Sequence, residues 1–293
     1  MGERTVKLKK IVAVLSGKGG CGKTTCSLGT ALALKSLGYR PAILDVDLEN
    51  PSLGIVCGLS RSDLRFVGEL IVPPRWNDIP VISLSMLPMA DFWDTPTMVN
   101  EERKHEVIVD LFNGVDWGDS DILLLDCPPG VGEEVRGVLK LEPDGILLIT
   151  TPQQSSGVAV SRAIVMCQEY GISVLGVIEN DVHHSWTLGV AEDLSKRYHV
   201  PALGYIPWDQ KILEAMEKHA SFPIDAFLPL ARAIERTLPE EAHVHTSARD
   251  GAAELLQPGS GASQPPGHGD NGSQEVPRGG PAKRRSPRRK ASA

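Results

Sequence analysis

The sequence has no two cysteines at C-x-x-C spacing and no cysteine beyond Cys167. The five present, Cys21, Cys26, Cys57, Cys127 and Cys167, are scattered without pairing. That spacing argues against a disulfide framework and fits a reducing cytoplasm. Aromatic residues are also scarce, at 5%, although hydrophobic residues overall reach 41%, enough for the core of a parallel-sheet protein. No long hydrophobic run exists: the basic start, Met1 to Lys10, leads into an apolar stretch too short for a signal peptide or a membrane span. There is no internal repeat. These absences predict an intracellular α/β protein without a transmembrane segment.

Large apolar side chains become rare after Pro239. From Glu240 the chain is dominated by Gly, Pro, Ser, Ala and Gln, which cannot bury enough surface to fold. The expected organisation is a folded domain over 1–239 and a disordered tail over 240–293. The tail ends in a basic tip, Lys283, Arg284, Arg285, Arg288, Arg289 and Lys290. It carries eight basic and six acidic residues, which leaves 22 basic and 31 acidic residues and a net charge of −9 for the folded part. A basic tip on an acidic body can be drawn weakly toward nucleic acid or another anionic surface.

Within the folded part, short apolar runs alternate with segments of helical spacing. Strands are expected at 11–16, 42–45, 81–86, 122–126, 145–150, 174–179 and 202–206, and helices at 26–37, 101–112, 155–170, 187–198 and 211–219. Most of the apolar runs are continuous, as in strands buried on both faces. The fold class implied is α/β, a doubly wound, mostly parallel sheet with helices on both faces.

Ser16 to Thr25 read S-G-K-G-G-C-G-K-T-T, which satisfies the phosphate-loop pattern G-x-x-x-x-G-K-[ST]. An expected strand precedes it and an expected helix follows, the context that this pattern requires. Gly17, Gly19, Gly20 and Gly22 place no Cβ in the way, so the backbone N–H groups from Gly17 through Lys18, Cys21 and Thr25 can curl round a polyphosphate at a positive helix end. Lys23 then reaches the β- and γ-phosphates, and the Thr24 hydroxyl ligates Mg²⁺.

Two further acidic sites belong with this loop. Ile122 to Leu125 form an apolar run that ends in Asp126, before Cys127-Pro128-Pro129-Gly130; such a carboxylate at a strand's carboxyl end lies beside the metal. Asp45-Val46-Asp47 closes another strand, and if it stays extended the two carboxylates point the same way. Asp45 is assigned to the water shell of Mg²⁺ and Asp47 to orienting the attacking water.

Lys18 makes the loop the two-lysine form K-G-G-x-G-K-[ST], and the chain resembles the MinD, ParA, nitrogenase iron protein and Mrp group of ATPases. It is most similar to the Mrp-like ATP-binding proteins, which include iron–sulfur cluster scaffolds and carriers. The stretches that carry the likeness include Asp45-Val-Asp-Leu-Glu-Asn-Pro-Ser52, Asp126-Cys-Pro-Pro-Gly-Val-Gly132, Thr150-Thr-Pro-Gln153, Gly176-Val-Ile-Glu-Asn180 and Gly204-Tyr-Ile-Pro-Trp-Asp209. The resemblance implies an ATP-bound homodimer in which Lys18 crosses to the partner's phosphates. It also implies that Asn180 hydrogen-bonds adenine and that Pro207 to Asp209 line the base pocket.

The sequence departs from this group in one place. Mrp-type carriers have a C-x-x-C pair shortly after the segment equivalent to Glu179-Asn180, whereas this chain reads Asp181-Val-His-His-Ser-Trp-Thr187. A cluster needs soft thiolate ligands, so carriage of an iron–sulfur cluster at the usual place is not expected. The leading expectation is a slow ATPase switch in metallocofactor assembly whose client the sequence does not name. A positioning or partitioning ATPase of the MinD or ParA kind is the alternative.

Overall fold

The expected apolar runs become parallel strands, and all but the largely exposed edge strand at 202–206 are covered on both faces. The computed structural model describes residues 8, 10–87, 101–184 and 189–237. β1 (Lys10–Ser16) is buried at every position after Lys10, with Val12 and Val14 in one core and Ile11, Ala13 and Leu15 in the other. The same division holds for β2 (Pro41–Asp45), where Ile43 faces one side and Leu44 the other.

After β2 come a short helix, α2 (Leu53–Val56), a hairpin of β3 (Arg65–Val67) and β4 (Leu70–Val72), then β5 (Arg75–Trp76) and β6 (Ile79–Ser83). β7 (Ile122–Pro129), β8 (Gly145–Thr150), β9 (Val174–Asn180) and β10 (Ala202–Ile206) complete the strands. The main sheet has eight strands in the order β10-β9-β8-β1-β7-β2-β6-β5, parallel except for β5, which runs antiparallel to β6.

α1 (Lys23–Ser36) packs on one face with α7 (Gln210–Glu217) and α8 (Leu228–Thr237), through Leu28, Leu34, Ile212, Leu230 and Ile234. The opposite face carries α3 (Glu101–Asn113), α4 (Glu133–Leu139), α5 (Gln154–Glu169) and α6 (Val190–Tyr198). This is the doubly wound arrangement that the sequence implied. β1 lies between β7 and β8, so the chain's direction of winding reverses beside it. Ligands bind at such switch points, outside the carboxyl ends of the strands.

Several boundaries differ from the sequence expectation. The strand expected at 81–86 starts at Ile79 and stops at Ser83, whose Oγ accepts from the Ser85 N–H and turns Leu84–Met86 into a 3₁₀ helix. α1 begins at Lys23 rather than residue 26, because Gly22 supplies a left-handed cap with φ 78°. α6 begins at Val190: Gly189 has φ 122°, outside helical space, and 185–188 lie outside the described residues. α2, α4, α8 and the β3–β4 hairpin were not expected. The boundary proposed at Pro239 and the tail 240–293 also lie outside the described residues.

Candidate functional site

The glycine loop fits its place only with glycine at specific positions. A Cβ on Gly17 would sit 2.4 Å from the backbone of Ala159 and Val160 in α5, so the loop lies directly on that helix. Gly20 and Gly22 adopt φ 76° and 78°, the left-handed region that disfavours other residues. The Cys21 side chain is buried, with its Sγ 3.6 Å from Ser156 Oγ near the start of α5. Ser16 Oγ donates to the Lys18 carbonyl, and the Gly130 N–H donates to the Ser16 carbonyl, which ties the loop after β1 to the loop after β7.

The strand register collects the acidic residues. Asp126 is the register partner of Val14 in β1 and of Asp45 in β2, so both carboxylates sit level with the entry to the loop. Thr24 Oγ1 donates to Asp126 Oδ2 at 2.6 Å, and Ser27 Oγ donates to Oδ1 at 3.1 Å. Burial pushes the Asp126 carboxyl up, against the pull of Lys23 and these two hydroxyls. Asp45 is pushed up to about 7, first by burial and then by the Asp126 charge, despite hydrogen bonds from Leu53 N–H, Ser83 Oγ and Asp47 N–H. Two buried, mutually repelling carboxylates beside a threonine hydroxyl form a hard-oxygen donor set, which suits Mg²⁺.

β2 ends at Asp45, but the alternation that places Leu44, Val46 and Leu48 in one core runs past Asp47. Asp47 Oδ1 accepts from the Asn50 N–H in a turn. With Glu49, Pro129 and Glu133 it lines a cleft of about 190 Å³ between the loops leaving β2 and β7.

On the other side of the loop, Asn180 is buried and its Nδ2 donates to the Cys21 carbonyl at 2.9 Å. That amide therefore supports the phosphate loop from the end of β9. Ile206 pairs with Asn180 in register, which brings Pro207 alongside, and Pro207 is exposed. Asp209 caps α7 by accepting from the Lys211 N–H at 2.8 Å. Thr25 Oγ1 points away from Asp126 toward Met216 Sδ in α7, at 3.1 Å.

Sequence reasoning missed the partners of Lys18. Its Nζ donates to Gln153 Oε1 at 2.6 Å and to Ser155 Oγ at 3.3 Å, at the start of α5. Sequence reasoning also missed Ser27 and Ser83, which hold the two buried carboxylates. Nothing in the local sequence marks these hydroxyls as different from any other serine.

All five cysteines are buried and unpaired. Burial holds the Cys26 and Cys127 thiols well above their ordinary range and pushes Cys57 and Cys167 up to about 12. A thiol so disposed stays protonated and is a poor metal ligand. Among the described residues no helix is long and apolar enough to cross a membrane.

Fold and loop together define a P-loop NTPase of the two-lysine type. The chain belongs to the ParA family of NUBPL iron-transfer P-loop NTPases, whose family model matches residues 7–231. The cytosolic Fe-S cluster assembly factor CFD1 of Kluyveromyces lactis is 32% identical over 241 residues, 76% of this chain and 84% of that protein. Nubp2 of Xenopus tropicalis, a protein of the same description, is 32% identical over 254 residues, 80% of this chain and 94% of its own. Among solved structures, an Archaeoglobus fulgidus nucleotide-binding protein in complex with ADP matches with a TM-score of 0.63 and 26% identity, covering 82% of this chain and 97% of that one. MinD of Pyrococcus horikoshii, complexed with Mg-ADP, matches with a TM-score of 0.61 over 78% of this chain and 96% of its own; at 23% identity it shows the fold alone.

Proposed function

We propose that the chain is an ATP-binding and ATP-hydrolysing switch that works as a homodimer in the cytoplasm, in iron–sulfur or other metallocofactor assembly. The observation that carries this reading is the Thr24–Asp126 hydrogen bond at the mouth of the glycine loop, with Asp45 level beside it. The loop's N–H groups and the positive end of α1 bind the polyphosphate, and Lys23 neutralises its outer phosphates. Thr24 and Asp126 would hold Mg²⁺, with Asp45 reaching it through water. When bound, the ion neutralises charge on the phosphates and relieves the repulsion between the two carboxylates. Asp47 orients the attacking water from its turn, and Pro207 and Asp209 border the base.

Lys18 acts across the dimer in this reading. A cation supplied only on association stabilises charge on the transferring phosphoryl group, as an arginine finger does. In the single chain that ammonium rests on Gln153 and Ser155, so dimerisation must draw it away from them. A cluster would be cargo rather than a resident group. The buried thiols of Cys21, Cys26, Cys57, Cys127 and Cys167 do not suit it, so the chain drives assembly without carrying the cluster alone.

Calorimetry with Mg²⁺-ATP tests the nucleotide half of the reading: wild type binds, and Lys23→Ala loses at least tenfold in affinity while keeping its circular dichroism. Equal affinity in that variant refutes the loop assignment. Anaerobic incubation with iron and sulfide tests the cargo half and should give no stoichiometric cluster. A stable cluster that survives replacement of Cys21 and Cys26 by Ser would refute it.

A further inference from the structure

One lysine with little exposed side chain connects the loop leaving β2 to the start of α4, which follows the loop leaving β7. Lys104 lies in the first turn of α3, far in sequence from both. Its Nζ is 2.8 Å from Glu49 Oε1 and 3.0 Å from Glu134 Oε1, and its side chain is only 12% exposed. Glu49 sits two residues beyond Asp47 in the loop leaving β2. Glu134 is the second residue of α4, just past residues 130–132, which connect β7 to that helix. The cleft of about 190 Å³ between these loops is lined by Asp47, Pro129, Glu133 and the three bridged residues.

The two ends of the bridge differ in solvation. Glu134 is 8% exposed, and burial raises its carboxyl against the pull of Lys104, whereas Glu49 is 65% exposed. The exposed pair adds little energy, but it sets where the loop sits. The buried pair is costly to break on one side, because the partner is left charged and desolvated. Both carboxylates together hold the Lys104 ammonium above the ordinary lysine range although burial opposes it.

We propose that Lys104 is a positioning residue for nucleotide turnover: it holds the Asp47 loop and the loop leaving β7 at one separation, so that Asp47 keeps its place relative to Asp126 in β7. The proposal rests on the ATP-hydrolysing reading above and adds a residue that touches neither nucleotide nor metal. Lys104 bridges Glu49 in the loop leaving β2 to Glu134 at the start of α4, so a change at either end is felt at the other.

The test compares Lys104→Met, which keeps the stem and removes the charge, with Lys104→Arg, which keeps the charge. Turnover in Lys104→Met should fall about tenfold, in line with couplings between residues of one charged network, with ATP Kd within about threefold of wild type. Lys104→Arg should restore most of the rate. Amide hydrogen exchange should quicken together at residues 46–50 and 130–134 in Lys104→Met, and stay unchanged at 17–25. Wild-type turnover in Lys104→Met, or parallel loss of ATP affinity and turnover in both variants, overturns the proposal. If Lys104→Met does not fold, Glu49→Gln replaces it, with a smaller loss confined to turnover expected and no loss counting against the bridge. A wild-type protein that never hydrolyses ATP refutes the underlying reading instead. The exchange experiment then stands alone, and unchanged protection of both segments refutes the bridge.

Discussion

Replacing Gly22 with alanine should do more damage than its backbone conformation explains, and the excess should vanish when Asn180 is shortened. Gly22 has φ 78°, where an added Cβ costs about 1–2 kcal/mol. That Cβ would also lie 2.4 Å from Asn180 Nδ2, the atom that donates to the Cys21 carbonyl. Asn180 is buried, so forcing its amide off that carbonyl adds about 1–3 kcal/mol. Gly22→Ala should therefore destabilise the nucleotide-free protein by about 2–5 kcal/mol. Asn180→Ala alone should cost about 1–3 kcal/mol, since it orphans the same carbonyl. In the double variant the collision is gone, so the combined cost should fall short of the sum of the singles by about 1–3 kcal/mol. Urea denaturation of the four proteins measures this coupling. Gly20→Ala is the control: φ is 76° but nothing lies within 4 Å of the added atom, so only the conformational cost remains. Additivity of the two substitutions within about 0.5 kcal/mol would refute the placement of Asn180 against the loop.

Other consequences can be measured separately. Lys18→Ala and Asp47→Ala should keep ATP binding and lose most phosphate release, at least tenfold; unchanged turnover in both would remove the dimeric mechanism. Because Asp45 is raised from 3.8 to about 7, the folded apo protein holds a proton that the unfolded chain has lost, and this contribution to stability declines as pH rises from about 4 to about 7. Asp126→Asn removes one cause of the shift, so denaturation midpoints between about pH 4 and about 7 should decline less steeply than in wild type; identical slopes would contradict the carboxylate repulsion. Ending the chain after Pro239 should leave thermal stability and ATP affinity nearly unchanged while reducing salt-sensitive binding to anionic surfaces, and a large stability loss would show that residues 240–293 contribute to the fold.

The sequence by itself determined what short-range chemistry dictates. A continuous apolar run, four glycines, a lysine and a threonine specify a strand, a phosphate loop and a helix, because a glycine-rich turn at a helix start has few other uses at that spacing. The continuous runs 11–16, 42–45, 122–126, 145–150 and 174–179 likewise implied strands buried on both faces, and hence a parallel sheet, whereas the run 202–206 became an edge strand that is largely exposed. Local pattern was a weaker guide where a single side chain redirects the backbone, as Ser83 does at the end of β6. Tertiary structure decided which distant residues meet. Thr24 and Asp126 are separated by 102 positions, Lys18 and Gln153 by 135, and Cys21 and Asn180 by 159. Those contacts follow from strand order and register, with β1 between β7 and β8, and no periodicity within a window of residues encodes that order. The Lys104 bridge to Glu49 and Glu134 belongs to the same class, since it depends on segments whose positions are set by the sheet and helices that hold their ends.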